Sequence, residues 1–479
     1  MGGRFTACLV LAPAGNVDEV PTYSYRRRLR AIAVPAALTA VLTVSACAGP
    51  GAEAPSTPAP TVTSVEPSAS SAAPSGPRSA AAAVGPLSPV PVSVADGAAA
   101  GASEGRSLNL PAGWSAQVWA NVPEARLAAW TPDGRLLVST GDRGEITILS
   151  PSDRGKAPTS ATLLSGLANP QGLAFAEVGD RSVLVVGEES RLVAYDYADG
   201  TVANRRVILD GLPANGHGGK AVVVQGSTVY YSLGSATNRD PADRAATPER
   251  GVVARVELDG TGSRTVARGV RNGFGLSVAP DDTLFVAVNH ADNQPYPFSD
   301  DSGRYGQTIP EFVNENPVEQ VSRIGDDVDL GWPFCLPDTR GRADRTDLPY
   351  VNDPINNPDG EALDCAAIGT TMLGLPAHSA PLGLAFTHDA DLPDAIGNGV
   401  LITSHGSWNR QPPRPPSVVY SAWDDSTRSL EAPVDLVTGF QDEDGSRWGR
   451  SVTAVPGPDG SVYLTDDEAG LVYRLTPGA

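Results

Sequence analysis

A chain of 479 residues with a formal net charge of −20 cannot offer the basic face that a phosphate backbone requires, so nucleic-acid binding is excluded. Glycine (51 residues) and proline (43 residues) are abundant and long helix-period apolar stretches are missing, which favours an all-β fold over a helical one. Lysine occurs only at Lys156 and Lys220, so basic chemistry falls almost wholly to arginine.

The first 47 residues have the composition of an export signal. Arginines at 26–28 and 30 precede an apolar run at 31–46, which is shorter than the ~20 residues that a transmembrane helix needs. The run ends in Val-Ser-Ala-Cys47, which resembles a bacterial lipobox with a lipidated cysteine. We therefore expect export and a lipid anchor at Cys47 on the extracytoplasmic face of the cell membrane. A plain cleaved signal peptide is the alternative.

Residues 48–105 consist mainly of Ala, Pro, Ser, Thr and Gly. Such a segment buries too little apolar surface to offset the entropy of ordering it, so it is predicted to be a disordered linker. With a lipid at Cys47, the linker would tether the rest of the chain, and membrane contact would be made only through the anchor.

Residues 106–479 repeat one pattern six times: a short apolar strand, a turn often of the Pro-Asp-Gly type, a second apolar strand and then a third. This repeat predicts an all-β fold, a six-bladed β-propeller preceded by the signal and the linker, rather than a β-sandwich. The segment 114–120 is expected to supply the strand that closes the ring. The hairpins begin near Leu127, Gly172, Ala221, Gly275, Leu382 and Ser451, and the third strands begin at Glu145, Arg191, Val252, Gln320, Ser417 and Leu471.

Polar residues gather at the hairpin ends. In an antiparallel hairpin the start of the first strand lies beside the end of the second, so residues at both positions of all blades should meet at one mouth of the central channel. Four of the five histidines fall at these positions. Those before first strands are Arg126, Gln171, His217, Lys220, Arg271, Asn272, His378, Arg447 and Arg450, and those after second strands are Asp142, Glu188, Asn238, His290, His405 and Asp466.

His217 and Arg271 carry the sharpest chemistry at this mouth. His217 lies in a glycine-flanked loop, and a histidine is the natural general base for an alcohol proton. Arg271 can bind an anionic cofactor through paired hydrogen bonds. The blander alternatives are a structural loop histidine and an arginine that joins neighbouring blades through carbonyl groups.

Several motifs make the chain from Leu108 onward resemble the quinoprotein sugar dehydrogenases of the soluble glucose dehydrogenase and sorbosone dehydrogenase type. They are Gly331-Trp-Pro-Phe-Cys335, Ala377-His-Ser-Ala-Pro-Leu-Gly-Leu384, His405-Gly-Ser-Trp-Asn-Arg410, Arg447-Trp-Gly-Arg450 and the pair Arg271-Asn272. The resemblance implies a six-bladed propeller that uses pyrroloquinoline quinone (PQQ) and calcium to oxidise an aldose or related sugar. The likeness leans toward the sorbosone branch.

The resemblance also assigns roles residue by residue. His217 matches the base that takes the hydroxyl proton, and Arg271 matches the arginine that polarises the quinone carbonyl, with Asn272 beside it. Backbone oxygens of His290 and Ala291 match the calcium position. A cofactor-binding lysine of the glucose enzymes is replaced by the loop that starts at His405. The implied cofactor-binding residues are Gln171, Lys220, Arg271, Asn272, His405, Arg410, Arg447 and Arg450, with Lys220 or Arg410 compensating for the missing lysine.

Electrons are expected to leave to a separate quinone or cytochrome acceptor, because no Cys-x-x-Cys-His haem-attachment motif is present. Two other functions stay open: a non-enzymatic propeller that binds sugar or the cell envelope, and a calcium-dependent lactonase or lyase using Asp142, Glu188 and Asp466. Cys335 and Cys365 share one irregular insertion and are candidates for a disulfide, the alternative being two free thiols.

Overall fold

The computed structural model of the chain describes Ala80 and residues 84–478. The predicted signal, Cys47 and most of the predicted linker lie outside these residues. Within the described range, the strands form six antiparallel-hairpin sheets and one small two-stranded sheet. Over residues 84–478, apart from Val84, helix is confined to 3-10 turns at Gly101–Ser103 and Pro241–Asp243 and a short α-helix at Pro310–Val313. No helix in this range is long and apolar enough to cross a membrane.

The first strands of the described chain precede the repeats. They are β1 (Leu87–Val94), β2 (Ser107–Pro111) and β3 (Ser115–Asn121). Blades 1 to 3 follow in chain order, each listed from its innermost strand outward. Blade 1 contains β4 (Ala128–Trp130), β5 (Leu136–Thr140), β6 (Glu145–Ser150) and β7 (Thr159–Leu164); blade 2 contains β8 (Leu173–Val178), β9 (Arg181–Glu188), β10 (Arg191–Ala198) and β11 (Thr201–Asp210); blade 3 contains β12 (Val222–Gln225), β13 (Thr228–Leu233), β14 (Val252–Glu257) and β15 (Arg264–Arg268).

Blades 4 and 5 carry the insertions. Blade 4 contains β16 (Gly273–Val278), β17 (Leu284–Val288), β18 (Glu319–Ile324), β23 (Thr371–Leu375) and β21 (Thr346–Leu348). Its insertion also holds β19 (Val328–Asp329), which pairs with blade 3, and the small sheet of β20 (Cys335–Pro337) and β22 (Tyr350–Asn352). Blade 5 contains β24 (Pro381–Phe386), β25 (Gly399–Ser404), β26 (Ser417–Asp424) and β28 (Val434–Val437), with β27 (Ser429–Leu430) also paired to β26. Cys335 and Cys365 form a disulfide within the insertion.

Blade 6 closes the ring with strands from both ends of the fold. Its inner strands are β29 (Ser451–Pro456), β30 (Val462–Asp466) and β31 (Leu471–Thr476), and β3 pairs antiparallel with β31. The innermost strands β4, β8, β12, β16, β24 and β29 each contact the next in a closed cycle. The prediction of a six-bladed propeller closed by the segment 114–120 is therefore confirmed.

The predicted end of the linker at residue 105 is wrong, because β1 lies inside it. The first half of β1 pairs with β2 (Val90 opposite Leu108), and the second half pairs in parallel with β3 (Val92 opposite Ala116). Each half therefore needs partners on one side only, which tolerates the two prolines of this strand. Leu87, Val90 and Val92 pack against the blade 6 core, so the apolar positions hidden among Ser and Pro do form structure.

The hydrophobic core lies mainly between neighbouring blades. Between blades 4 and 5, Phe285 meets Phe386 with ring centroids 5.3 Å apart and Trp423 at 5.9 Å, both edge to face. Such aromatic pairs contribute about 0.5–1.5 kcal/mol beyond their buried area. Apolar seams of this kind fix the blades side by side, so that the loops at the blade ends are held at constant separation.

Candidate functional site

The predicted mouth is formed by the hairpin registers. In blade 4 Gly273 lies opposite Val288, in blade 5 Pro381 lies opposite Ser404, and in blade 6 Ser451 lies opposite Asp466. Hydrogen bonds join every blade to the next around this end. They run from Ser139 Oγ to Gln171 O (2.8 Å), Gly172 N to Lys220 O (2.9 Å), Ser235 N to Arg271 O (2.7 Å), Asn289 Nδ2 to Pro381 O (2.9 Å), Ser451 Oγ to Ser404 O (2.9 Å) and Thr465 Oγ1 to Arg126 O (2.7 Å).

Ser235 fixes the ring of His217. The Nδ1 atom of His217 lies 3.0 Å from Ser235 Oγ and 3.1 Å from Ser235 O. The Ser235 hydroxyl donates its own proton to Thr237 O at 2.7 Å, so it accepts from Nδ1–H. This arrangement leaves Nε2 of His217 as the unprotonated nitrogen. Burial, followed by the positive charge of Arg271, lowers the pKa of His217 to about 3, so the ring is neutral at physiological pH.

The loop that carries His217 is shaped by glycine and by Lys220. A Cβ atom on Gly218 would lie 2.1 Å from Ala214 O, so the loop takes this path only with glycine there. The ammonium of Lys220 donates to Pro213 O at 3.1 Å and to Gly218 O, and its side chain is fully buried. Burial, followed by the charge of Arg250, lowers the pKa of Lys220 to about 8. The structure thus places Lys220 beneath the His217 loop, and not on the mouth surface where a cofactor contact was predicted.

Arg271 is held mainly by one neighbour, Asn238, which follows the second strand of blade 3. Arg271 Nε donates to Asn238 O at 3.1 Å, and Nη2 donates to Asn238 Oδ1 at 3.0 Å. Asn238 is itself fixed, because its Nδ2 donates to Asp292 O at 2.9 Å and its backbone oxygen also accepts from Trp332 Nε1 at 3.0 Å. Arg271 therefore makes the blade-joining contacts that were expected as one alternative. These contacts are compatible with a second role in binding a ligand.

Asp292, which the sequence analysis did not select, joins blades 3, 4 and 5. Its carboxylate lies 3.7 Å from Arg271 Nη2 and 3.4 Å from His378 Nδ1, and it accepts from Asn409 Nδ2 at 2.9 Å. Burial alone would raise the pKa of Asp292, but the hydrogen bond from His378 and the charge of Arg271 lower it. The pKa of His378 is raised, since its contact with Asp292 and its bond to Val313 O outweigh burial.

A second charged group, centred on Asp467, occupies the blade 5, 6 and 1 side of the mouth. Asp467 lies 3.0 Å from His405 Nε2 and accepts from Arg126 Nη1 at 2.7 Å. Arg126 Nε also donates to Gln171 Oε1 at 3.2 Å. Burial would raise the pKa of Asp467, but His405 and Arg126 lower it instead. Arg450 Nε donates to His405 O at 3.3 Å. Three of the predicted cofactor-binding residues, Gln171, His405 and Arg450, therefore lie together on this side of the mouth.

Of three other predicted cofactor contacts, two are already engaged by protein groups and one lies at the mouth. Arg410 donates to Asn314 O at 3.0 Å and pairs with Glu315 on the neighbouring insertion. Arg447 donates to Gln441 Oε1 at 3.1 Å and to two backbone oxygens. Asn272 lies at the mouth, and its side-chain oxygen stands 3.4 Å from the point where a Cβ on Gly234 would fall.

The side chains near His290 and Ala291 do not form a metal centre. Among the residues that the structure describes, no group of three or more His, Cys, Asp or Glu is placed to hold a metal ion. Ala291 N donates to His290 Nδ1 at 2.8 Å, which leaves His290 Nε2 buried without a partner. Burial, followed by the charges of Arg271 and Arg239, lowers the pKa of His290 to about 3. Calcium at the backbone oxygens of these residues stays a prediction.

Two of the three acids invoked for a lactonase, Asp466 and Glu188, bond backbone amides. Asp466 accepts from Arg450 N and Ala469 N, both at 2.8 Å, and burial raises its pKa to about 7. Glu188 accepts from Ala168 N at 2.8 Å. Neither belongs to a metal-holding group among the described residues.

The donor set at the mouth suits an anionic ligand. Arg126, Arg271 and Arg450 reach it from blades 1, 4 and 6 of a chain whose net charge is −20. Guanidinium groups bind carboxylates and quinone oxygens through directed N–H groups. The residues present therefore fit PQQ, which carries three carboxylates and a quinone.

Fold and site together define a six-bladed propeller with a cationic, histidine-bearing mouth. Residues 108–477 match the TrAA12-like family, and the chain belongs to that family. The PQQ-dependent pyranose dehydrogenase of Coprinopsis cinerea is 26% identical over 387 residues, which cover 71% of this chain and 51% of that protein. An uncharacterized protein of Borreliella burgdorferi is 37% identical over 101 residues, covering 21% of this chain and 27% of that protein. The chain thus spans about half, or less, of the length of these relatives.

Solved structures show the same fold. The PQQ domain of the Coprinopsis cinerea pyranose dehydrogenase, in its holo form, superposes with a TM-score of 0.66 at 22% identity, covering 80% of this chain and all of that one. The calcium structure of the Trichoderma reesei family AA12 enzyme gives a TM-score of 0.63 at 20% identity, covering 77% of this chain and 96% of that one. The resemblance to quinoprotein sugar dehydrogenases drawn from the sequence motifs is confirmed at the level of family and fold.

Proposed function

We propose that the protein is a PQQ-dependent dehydrogenase that oxidises an aldose or related sugar. The observation that carries the proposal is the coupling of His217 and Arg271 through Ser235. The hydroxyl of Ser235 lies 3.0 Å from Nδ1 of His217. The backbone amide of Ser235 donates to the backbone oxygen of Arg271 at 2.7 Å. A neutral histidine and a fixed guanidinium are thereby held on adjacent blades at one mouth. Membership of the TrAA12-like family and the pyranose dehydrogenase relative support the same activity.

The residues divide the chemistry between them. PQQ, when bound, would supply a quinone that accepts a hydride, and with it two electrons, from the sugar carbon. His217 Nε2 is free to accept the proton of the sugar hydroxyl, because Nδ1 is already bonded to Ser235. Arg271 places a fixed positive charge at the mouth, where it stabilises negative charge on an oxygen. Arg126, Arg450 and Gln171 are the further groups that would hold the cofactor's carboxylates.

Calcium and the electron acceptor are further parts of the proposal. Calcium would be held by the backbone oxygens of His290 and Ala291, since oxygen atoms are its preferred ligands. Electrons would pass to a separate quinone or cytochrome. Titrating calcium into the PQQ-loaded protein, after chelation, should increase dye reduction by a sugar; no change at any calcium concentration would remove calcium from the proposal.

The proposal is tested by adding PQQ to the purified full-length chain and following the absorbance of the quinone and dye reduction with a panel of aldoses. His217→Ala should keep PQQ binding and lose at least about 1,000-fold in kcat/KM, because general-base removal costs this order of rate. His388→Ala is the matched control, since His388 lies at the opposite face and pairs with Asp389. Spectral binding with no turnover of any sugar would favour the non-enzymatic binding propeller, and no spectral change would refute the cofactor.

We also propose that the protein is exported and anchored by lipid at Cys47, on the extracytoplasmic face of the membrane. The sequence Val-Ser-Ala-Cys47 after an apolar run supports this location. Cys47→Ser should move the protein from the membrane fraction to the soluble fraction or block its processing. A membrane fraction unchanged by this substitution would contradict the anchor.

A further inference from the structure

Trp408 differs from the other tryptophans of the chain in its exposure. All seven tryptophans lie among the described residues, and the other six are buried or half-buried. Trp408 is 63% exposed, a larger fraction than that of any other large apolar side chain in the described part of the protein. An indole in water forgoes about 1.5–3 kcal/mol of burial. A single exposed apolar side chain needs no explanation by itself, so the case for a ligand rests on where Trp408 lies.

The backbone on both sides of Trp408 is anchored. Ser407 is buried, its amide donates to Arg414 O at 3.0 Å, and its hydroxyl accepts from Arg414 N at 2.7 Å. Asn409 Nδ2 donates to the Asp292 carboxylate at 2.9 Å. Gly406 has a φ of 81°, and a Cβ there would lie 2.7 Å from Arg414 O. The loop therefore holds the backbone of Trp408 in a defined place, so binding a ligand there needs little ordering of the backbone.

The loop that carries Trp408 lies at the rim of the mouth. Its loop begins where the second strand of blade 5 ends, and the neighbouring Asn409 is bonded to Asp292, which lies 3.7 Å from Arg271. Arg271 and His405 are buried, whereas Trp408 faces solvent. A molecule that reacts inside the mouth and projects outward would pass this side chain.

We propose that Trp408 stacks on a sugar ring that projects from the mouth, so that the preferred substrates are di- or oligosaccharides oxidised at one terminal ring. The inference rests on the proposed sugar oxidation and adds the size of the substrate. The apolar C–H face of a pyranose matches one indole ring in area and gains dispersion and burial energy from it. A stable protein partner needs on the order of 1,000 Å² of interface, far more than one side chain supplies.

The kinetic test compares an aldose with its disaccharides in PQQ-loaded wild type and two variants. Trp408→Ala should raise KM for disaccharides about 10-fold and change kcat less than about 2-fold, because the ring is bound equally before and during reaction. The KM for the monosaccharide should change less than about 2-fold. Trp408→Phe keeps an aromatic face and should recover most of the loss. Trp114→Phe, at the opposite face, is the control.

A binding test separates this inference from the proposed function. Because Trp408 is the exposed tryptophan, iodide should quench it first, and an added disaccharide should shield it; Trp408→Phe should abolish this protection. Protection without any PQQ-dependent turnover would support stacking and refute the dehydrogenase. Turnover with no protection, or with equal KM effects of Trp408→Ala on mono- and disaccharides, would overturn the inference. So would an effect of Trp408→Ala confined to the rate with a protein electron acceptor.

Discussion

The two sides of the mouth hold their arginines in different ways. On the blade 3 and 4 side, Arg271 bonds two oxygens of the neutral Asn238, and the nearest carboxylate, Asp292, lies 3.7 Å away. On the opposite side, Arg126 lies 2.7 Å from Asp467, which also bonds His405. The first arrangement leaves the guanidinium without a directly bonded carboxylate and so with more positive charge available to a ligand, whereas in the second a carboxylate bonds Arg126 directly. From this difference we expect the reacting groups on the Arg271 side and, on the Asp467 side, a scaffold that positions the cofactor.

The largest effect on activity should follow removal of the positive charge of Arg271. Arg271→Leu should lower kcat/KM for sugar by about 1,000-fold or more, since a buried guanidinium aimed at developing charge supplies several kcal/mol. Arg271→Lys should retain a part of the activity but not the paired bonds to Asn238. Steady-state dye reduction measures both. Arg264→Leu, an exposed arginine paired with Asp326, is the control and should change the rate less than about 2-fold. Equal losses in the two leucine variants would erase the distinction.

Removing the carboxylate on the scaffold side should cost stability more than rate. Asp467→Asn leaves Arg126 and the buried His405 without their anion, and because Asp467 is half-buried the loss should be about 2–3 kcal/mol, below the ~3–5 kcal/mol of a fully buried pair. Urea unfolding should show this loss, while kcat falls less than about 10-fold. The same change at the exposed Asp389, which is paired only with His388, should cost less than about 1 kcal/mol. A larger effect on kcat than on stability would place Asp467 among the reacting groups.

A smaller effect on activity is expected from substitution of Ser235, whose hydroxyl keeps the proton of His217 on Nδ1. Ser235→Ala removes the hydroxyl that accepts from Nδ1 but keeps the backbone oxygen at 3.1 Å, so kcat should fall about 10-fold. PQQ affinity should stay within about 2-fold, which separates orientation of the base from general disruption of the mouth. Ser426→Ala, at an exposed turn, is the control. A loss of PQQ affinity as large as the loss of kcat would contradict this role.

The smallest expected effect is that of pH on the kcat/KM of the native enzyme. The pKa of His217 is lowered to about 3 and that of His405 to about 4, in both cases first by burial. A depressed histidine pKa keeps the base neutral as the pH falls, so activity is lost only as pH drops toward the folded-state value. We expect kcat/KM to be level from pH 8 down to about 5 in a profile with the native enzyme. An acid limb near 6.5 would show that His217 is solvated or is not the base.

The hairpin repeat was sufficient to predict the blades, since alternating strands and turn residues are local signals. Closure by the strand at 115–121 could also be inferred, because the repeats end one strand short. The strand at 87–94 was missed because its few valines stand among Ser and Pro, and only pairing with two different neighbours gives it structure. Local pattern therefore indicates blades well and indicates their outer additions poorly.

For the site, sequence placed polar residues at the mouth but could not rank them. His217 and Arg271 lie on adjacent blades as expected. Lys220 carried the same signal as these residues, yet its ammonium turns inward to carbonyl oxygens. Asn238 stood among the mouth residues without a role, and Asp292 and Asp467 were not selected, because their importance comes from partners that lie 21 to 341 positions away in the chain. Side-chain direction and long-range pairing decide such roles, and neither leaves a periodic trace in sequence.

The scarcity of lysine has a practical consequence for attaching this protein to a surface. Lys220 is fully buried, whereas Lys156 is 56% exposed and pairs with Asp153 on the loop after β6. Because β6 runs away from the mouth, that loop lies at the far end of blade 1. Amine-reactive coupling should therefore modify one side chain besides the amino terminus. An electrode or dye linked at Lys156 would leave the mouth facing solution, with every molecule coupled through that side chain in the same orientation.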